Sequence, residues 1–160
     1  MPTEQLAELT QPQRDRLAFV ELRVRFIGEI RRQDLVSRFG IQSAAATRDL
    51  AVYKELSSGN IDYDSKAKSY VLTDEFRPLF DFPPERVMSW LTQGFGDGEP
   101  MRLKPWVISE APSRLTHPDL DVLAAVTRAI HQECPLAIEY HSISSGCTER
   151  EIVPFALIDN

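Results

Sequence analysis

The stretch DLVSRFGIQSAAATRDLAVYKEL, residues 34–56, decides how the N-terminal part of this chain folds. Apolar residues lie on one face of a short helix over residues 33–39, and Gly40 is the residue type that commonly ends a helix. Only two residues later, Ser43 can cap a second helix over residues 43–56. Two short helices joined by a tight glycine turn predict a helix-turn-helix.

The segments on either side extend this pattern. Upstream, a helical pattern runs from Pro12 to about Gly28 and is apolar on two stripes, which is typical of a mostly buried helix. Downstream, residues 61–63 and 69–72 have the pattern of two short strands around the polar turn DSKAK. We call this predicted hairpin the wing. Three helices followed by a wing predict a winged helix-turn-helix.

The second half of the sequence begins with a proline-rich connector. Prolines interrupt residues 73–116, with one short helix expected over 84–93 and a strand over 106–108. An amphipathic helix then starts at residues 117–119 and ends before Pro135.

Two strands are predicted after this helix. Residues 136–143 and 151–158 have strand-like patterns, and SSGCTER is expected to form the loop between them. A helix and two strands cannot enclose a core of their own, and the last strand would leave an open edge. We therefore expect a fragment, or a part that another chain completes.

These elements predict an α+β chain in three parts. The winged helix-turn-helix occupies residues 1–75, a linker with the short helix occupies 76–115, and a second, partial domain occupies 116–160.

Composition and charge exclude several classes of protein. The chain has 160 residues, of which 42% are hydrophobic and 26% charged, as in ordinary globular proteins. No apolar run approaches the ~20 residues of a membrane span, and the polar start does not resemble a signal peptide. We therefore expect a cytoplasmic protein that has no membrane partner.

The net charge of −6 is unevenly distributed. Residues 1–56 hold nine bases against eight acids, whereas the rest of the chain holds nine bases against sixteen acids. Any polyanionic partner is therefore expected at the N-terminal end.

Several short motifs resemble known families of bacterial regulators. The turn Phe39–Gly40–Ile41, followed by Arg48–Asp49–Leu50, resembles the helix-turn-helix of DeoR-type repressors. The wing NIDYDSKAKSYVLT, the proline-rich connector, a helix, and then PLAIEYHSISSG and REIVPFALIDN resemble, in that order, WYL-domain transcriptional regulators of phage-defence islands. The resemblance covers residues 13–160, although the Trp-Tyr-Leu strand that names the domain would lie beyond Asn160.

This resemblance implies a fold and a function. The second domain would be an incomplete Sm-like β-barrel, of which residues 116–160 supply a helix and the first strands. The protein would be a transcriptional repressor that binds operator DNA, is controlled by a nucleotide or nucleic-acid effector, and forms a homodimer when intact.

The helix over residues 43–56 carries most of the candidate DNA contacts. Its first half, SAAATR, is small or polar, as a helix entering the major groove requires. Arg48 can bind a guanine or a phosphate, or instead pair with Glu55 or with a residue of the preceding helix. The wing-tip lysines can reach phosphates or merely keep the edge soluble. The predicted DNA-binding residues are Ser43, Ala45, Thr47, Arg48, Lys54, Lys66 and Lys68.

Two arginines of the first helix, Arg14 and Arg16, are expected on a solvated face instead.

The resemblance also implies an effector site in the second domain. Hydroxyls alternate along EYHSISSG, and an arginine on the next strand can hold a phosphate bidentately. An ordinary polar strand face is the competing interpretation. The predicted effector-binding residues are Tyr140, Ser142, Ser144 and Arg150.

Metal binding and catalysis find little support in the sequence. The set His131, Cys134, His141 and Cys147 contains zinc-ligand types, but Pro135 divides it and the spacing matches no standard finger. We interpret both cysteines as free thiols and expect no metal site or cofactor. No phosphate-binding loop, dinucleotide fingerprint or hydrolase motif occurs, and a His141–Cys147 thiolate pair is the only enzymatic alternative. We therefore expect a protein that is not an enzyme.

The function predicted from the sequence is thus that of a sequence-specific DNA-binding repressor. The alternative is a winged-helix module that binds protein or RNA, which the acidic net charge permits. Salt dependence distinguishes the two, because phosphate contacts weaken steeply as salt rises.

Overall fold

The computed structural model of the chain describes residues 6, 8–93, 109–110, 118–143 and 146–158. The chain divides into two compact units, Met1–Asp81 and Phe82–Asn160.

The first unit contains the predicted helices and wing. Its described elements, in chain order, are α1 (Gln11–Ile27), β1 (Glu29–Ile30), α2 (Arg32–Phe39), α3 (Ser43–Leu56), β2 (Ile61–Asp64) and β3 (Ser69–Leu72). The wing strands β2 and β3 pair antiparallel. The predicted winged helix-turn-helix is confirmed.

One strand of this unit has no counterpart in the prediction. Strand β1 pairs antiparallel with β3, which makes the sheet order β1-β3-β2. The backbone N–H of Leu72 also donates to the carbonyl of Gly28, at 2.9 Å. A two-residue strand has no periodicity of its own, and its partner lies some forty residues away, so local sequence patterns do not reveal it.

The two ends of the helix-turn-helix turn differ in how well they were predicted. Gly40 has φ +63°, the left-handed conformation that glycine adopts without a steric penalty, so its role in ending α2 is confirmed. The prediction that Ser43 caps α3 was wrong, because the cap is Gln42 and Ser43 is the first helical residue. The Gln42 carbonyl accepts from the backbone N–H groups of Ala45 and Ala46 and so begins the helix.

The core of the first unit forms around α1. Helix α1 is mostly buried, as its two apolar stripes predict, and the other two helices and the sheet also contribute to the core. The buried apolar residues are Leu17, Phe19, Val20, Leu22, Val24, Phe26, Ile27, Ile30, Leu35, Ala46, Leu50, Tyr53 and Ile61.

This core also contains a polar network centred on Glu21, which is fully buried. Its carboxylate accepts hydrogen bonds from the Leu79 and Phe80 backbone N–H groups and from the Tyr53 hydroxyl. Tyr53 in turn accepts from the side-chain amide of Asn60. Burial raises the pKa of Glu21, an effect that these bonds and the nearby Arg25 only partly oppose. The network joins α1 and α3 to the segment after the wing.

The second unit contains the remaining elements. Those described are α4 (Pro84–Gln93), β4 (Ser109–Glu110), α5 (Leu120–Gln132), β5 (Leu136–Ser142), β6 (Gly146–Ile152) and β7 (Leu157–Ile158). Helix α4 has the predicted bounds, and Asp119 caps α5 by accepting from the backbone N–H groups of Asp121 and Val122. The strand predicted over residues 106–108 lies outside the described residues.

The prediction for the last two strands was wrong in part. Strand β6 begins at Gly146 and not at Glu151, so most of the predicted loop SSGCTER is strand. Residues of β5 and β6 pair without interruption from Leu136↔Ile152 to Ser142↔Gly146. The start of β6 is composed of polar residues, which give no apolar alternation in the sequence. The strand ends before Pro154, because proline has no N–H to donate to a neighbouring strand.

Strand β7 is separate from β6 and pairs in parallel with β4. Within the described residues, no helix is long and apolar enough to cross a membrane.

Candidate nucleic-acid interface

Helix α3 has one face in the core and one in solvent. Ala46, Asp49, Leu50 and Tyr53 are buried, four residues that recur at helical spacing. The opposite face is exposed and is composed mostly of small or polar residues, namely Ser43, Ala44, Thr47, Arg48 and Ala51. Small side chains on this face allow the helix backbone to approach a nucleic-acid groove closely.

An ion pair fixes α3 against α1. The Arg16 guanidinium donates to both Asp49 carboxylate oxygens, at 2.6 and 3.3 Å, and the Asp49 side chain is only 3% exposed. Arg16 is therefore not the solvated residue predicted from the sequence. Bidentate pairing fixes orientation as well as distance, so this contact sets the angle at which α3 presents its exposed face.

Arg48 lies on that exposed face. It lines a shallow depression with residues that include Gln13, Ala45 and Glu55. Among the described residues, Arg48 makes neither an ion pair nor a side-chain hydrogen bond, so the alternative pairing with Glu55 does not occur there. Its guanidinium donors remain available for a partner outside the chain.

A second, basic cavity lies between α3 and the wing. It has a volume of about 210 Å³ and is lined by Arg32, Thr47, Leu50, Tyr63, Lys68 and Tyr70. We call it the wing groove. Two of the predicted DNA-binding residues, Thr47 and Lys68, meet here, and Arg32 and the half-exposed Tyr63 join them. The sequence did not predict a DNA contact for either residue, although the Arg31–Arg32 pair at the start of α2 is a local concentration of positive charge.

Thr47 and Lys68 have specific local geometry. The Thr47 hydroxyl donates to the Ser43 carbonyl at 2.9 Å, which leaves the hydroxyl oxygen available as an acceptor. Lys68 has φ +54°, a conformation that a non-glycine residue adopts only rarely.

The turn of the wing is held by Asp64. Its carboxylate accepts from the backbone N–H groups of Lys66 and Ala67, at 2.8 and 3.1 Å. This Asx turn leaves the Lys66 side chain exposed at the tip.

Lys54 differs from the other predicted contacts because it has a partner within the chain. Its ammonium group lies 3.2 Å from the Asp62 carboxylate, and both side chains are largely exposed. A hydrogen bond from the Tyr63 backbone and the Lys54 charge lower the pKa of Asp62. The pair joins the end of α3 to the wing.

The family of this domain follows from a comparison with known proteins. Residues 12–93 match the family model of the BrxR transcriptional regulator winged helix-turn-helix domain, which is slightly more than half of the chain. The chain belongs to this family. The match begins one residue into α1 and extends to the end of α4.

Relatives with curated names are similar to both halves of this BrxR-family chain. Over 158 residues it is 27% identical to the DNA-binding transcriptional repressor CapW of Escherichia coli strain KTE188, which covers 91% of this chain and 51% of the relative. A repressor of the same name from Stenotrophomonas maltophilia is 30% identical over 140 residues, covering 83% and 46%. The chain thus spans about half the length of the curated relatives it matches.

The predicted effector residues lie outside the BrxR-type domain, on the β5–β6 hairpin. Tyr140, Ser142 and Arg150 share one face, and the Arg150 guanidinium carbon is 4.0 Å from the centroid of the Tyr140 ring. Ser144 lies outside the described residues. The hairpin register therefore brings an aromatic ring and a cation together.

Proposed function

We propose that this protein is a DNA-binding transcriptional repressor in which α3 enters the major groove. The observation that carries the proposal is the exposed side chain of Arg48, which has no partner among the described residues and shares a helix face with small or polar residues. The winged helix family and the name of the CapW relatives support the same function.

The predicted DNA-binding residues in the first half of α3 have separate roles in this proposal. Arg48 donates two hydrogen bonds to a guanine edge or grips a phosphate. Thr47, whose hydroxyl proton is occupied by Ser43, accepts from a base amino group or contacts a thymine methyl. Ser43 and Ala45 let the helix come close to the base edges.

The wing groove would hold the DNA backbone. Arg32 and Lys68, which line this groove, would neutralise phosphates beside the major groove, and Lys66 would reach a further phosphate from the wing tip. Lys54 would hold the wing to α3 through its ion pair with Asp62. Its positive charge would also attract the DNA backbone.

A second part of the proposal concerns the fold and the ligand of the second domain. We infer that residues 116–160 belong to a WYL-type, Sm-like domain, joined to the winged helix of residues 1–75 by the linker 76–115. Tyr140, Ser142, Ser144 and Arg150 would bind a nucleotide or nucleic-acid effector, with Arg150 leaving the Tyr140 ring to take a phosphate while a base stacks on the ring.

Regulation would follow from a homodimer. Two winged helices read a two-fold operator, and an effector that prefers another arrangement of the pair weakens DNA binding by its differential affinity. A repressor of this kind would act in the cytoplasm, where its operator DNA is.

Fluorescence anisotropy with duplex DNA from the protein's own promoter tests the DNA-binding proposal. We expect Arg48→Ala to weaken binding about 5- to 150-fold, the equivalent of about 1–3 kcal/mol for a bidentate base contact. Arg77→Ala is the matched control, since Arg77 is an exposed arginine of the same unit whose side chain has no partner among the described residues.

The outcomes separate the proposal from its alternative. Tight, salt-sensitive binding that Arg48→Ala reduces and Arg77→Ala does not would support the repressor. Equal binding by all three proteins, or binding that salt does not weaken, would contradict it and favour a module that binds protein or another macromolecule through this surface.

A further inference from the structure

Three side chains with metal-ligating atoms meet on the second unit. The Cys147 Sγ lies 2.6 Å from the Glu139 Oε1 and 3.8 Å from the His141 Nε2, and the latter two atoms are 3.8 Å apart. All three side chains are exposed. The cluster includes two residues of the zinc set weighed from the sequence, whereas His131 and Cys134 are not part of it.

The register of the β5–β6 hairpin holds these side chains together. His141 and Cys147 are direct cross-strand partners next to the turn, and Glu139 is two residues before His141. Because side chains alternate along a strand, residues two apart lie on the same face. The ligand atoms are therefore brought together by a paired backbone and not by a flexible loop.

The charge of this face favours a cation. Glu139 lies directly opposite Glu149, and Glu151 follows on the same face. Like charges directly across a strand pair destabilise it. This surface, which we call the acidic hairpin face, has no lysine or arginine; its residues are Ala137, Glu139, His141, Cys147, Glu149 and Glu151.

The donor set resembles that of a tetrahedral site. A thiolate, an imidazole and a carboxylate are the three ligand types that Zn²⁺ takes from proteins, at about 2.0–2.3 Å, which puts ligand atoms roughly 3.3–3.7 Å apart. The three separations here, between 2.6 and 3.8 Å, need only small side-chain rotations to match. Water would complete the coordination.

We propose that Glu139, His141 and Cys147 form a binding site for a divalent cation of the Zn²⁺ class on the acidic hairpin face. Binding exchanges the thiol proton of Cys147 for a sulfur–metal bond and releases that proton to solvent, with no change of oxidation state. The hydrogen bond to Glu139 raises the pKa of Cys147 in the metal-free chain. A bound cation would replace this hydrogen bond, because the thiolate and the carboxylate would both bind the metal.

Titration of the tag-free 160-residue chain with Co²⁺, in the presence of a non-thiol reductant, tests the proposal. We expect one equivalent to bind and to produce a sulfur-to-cobalt charge-transfer band, which Zn²⁺ then displaces. Cys147→Ser should remove the band, and Cys134→Ser, the matched control at the other free cysteine, should retain it. Since changes outside the ligand shell already cost about 10- to 100-fold in affinity, His141→Ala should weaken Zn²⁺ binding by at least that factor.

Two results would overturn the proposal. One is the absence of a sulfur-to-cobalt band in the wild-type chain. The other is a band that Cys147→Ser keeps or that Cys134→Ser loses. Far-UV circular dichroism identifies any variant that fails to fold, and His141→Gln then provides the second test, because it removes a ligand without touching either thiol.

Discussion

Two acids of the first unit and three acids of the second lie in opposite environments. In the first unit, Glu21 and Asp49 are 0% and 2% exposed and are held by hydrogen bonds and by Arg16. On the acidic hairpin face of the second unit, Glu139, Glu149 and Glu151 are all exposed. Two of the eight acids of residues 1–56 are thus removed from solvent, so this part of a chain with a net charge of −6 still presents a surface suited to the proposed DNA contact.

The largest effect that tests this contrast is expected at Glu21. Glu21→Ala leaves two backbone N–H groups and the Tyr53 hydroxyl without their buried acceptor, and we expect the free energy of unfolding to fall by about 3 kcal/mol or more. Chemical denaturation measures this change. The matched control is Glu149→Ala on the acidic hairpin face, where removing a charge opposite Glu139 should leave stability unchanged or slightly higher. Equal losses in the two variants would remove the distinction between the units.

A smaller loss is expected at Asp49. Asp49→Ala leaves the partly buried guanidinium of Arg16 without its ion-pair partner, and we expect the free energy of unfolding to fall by about 2 kcal/mol. DNA binding should also weaken, because α3 loses its fixed orientation. Asp62→Ala removes an acid of the same unit whose pair with Lys54 is exposed, so its melting temperature should match that of the wild type. A melting temperature that drops equally in both variants would contradict this account.

The pH dependence of stability should show the buried state of Glu21 directly. Its folded-state pKa is raised above the ordinary 4.5 because burial outweighs the contributions of Tyr53, Arg25 and the two backbone donors. A raised pKa means that the folded state holds the proton more tightly, so wild-type stability relative to Glu21→Gln should fall as pH rises from about 4.5 through the folded-state pKa. Denaturation midpoints of both proteins across this range measure the difference. A wild type that gains stability relative to Glu21→Gln as pH rises would contradict the direction.

The sequence predicted those parts of the molecule that local patterns determine. Helix α3 has its predicted bounds because an apolar face at helical spacing and the Gly40 turn are local signals. Strand β1 and the Arg16–Asp49 pair were missed because both depend on residues more than thirty positions apart. The sequence predicts a loop over the first five residues of β6, because their polar side chains give no apolar alternation.

The candidate site divides in the same way. The sequence indicated the residues of the α3 face, since small and polar residue types cluster there. It did not indicate the wing groove, where Arg32 and Tyr63 join Thr47 only through the pairing of the wing with the rest of the sheet. The cluster at Glu139 was hidden because it requires the register of β5 against β6.

Mapping of DNA cleavage from tethered iron chelates tests most directly which unit contacts DNA. The reagent is attached either to Ser65→Cys at the wing tip, in a chain carrying Cys134→Ser and Cys147→Ser, or to the natural Cys147 in a chain carrying Cys134→Ser. We predict cuts within the bound promoter DNA from position 65 and none from position 147. Cleavage from position 147 alone would contradict the assignment of DNA binding to α3 and the wing groove.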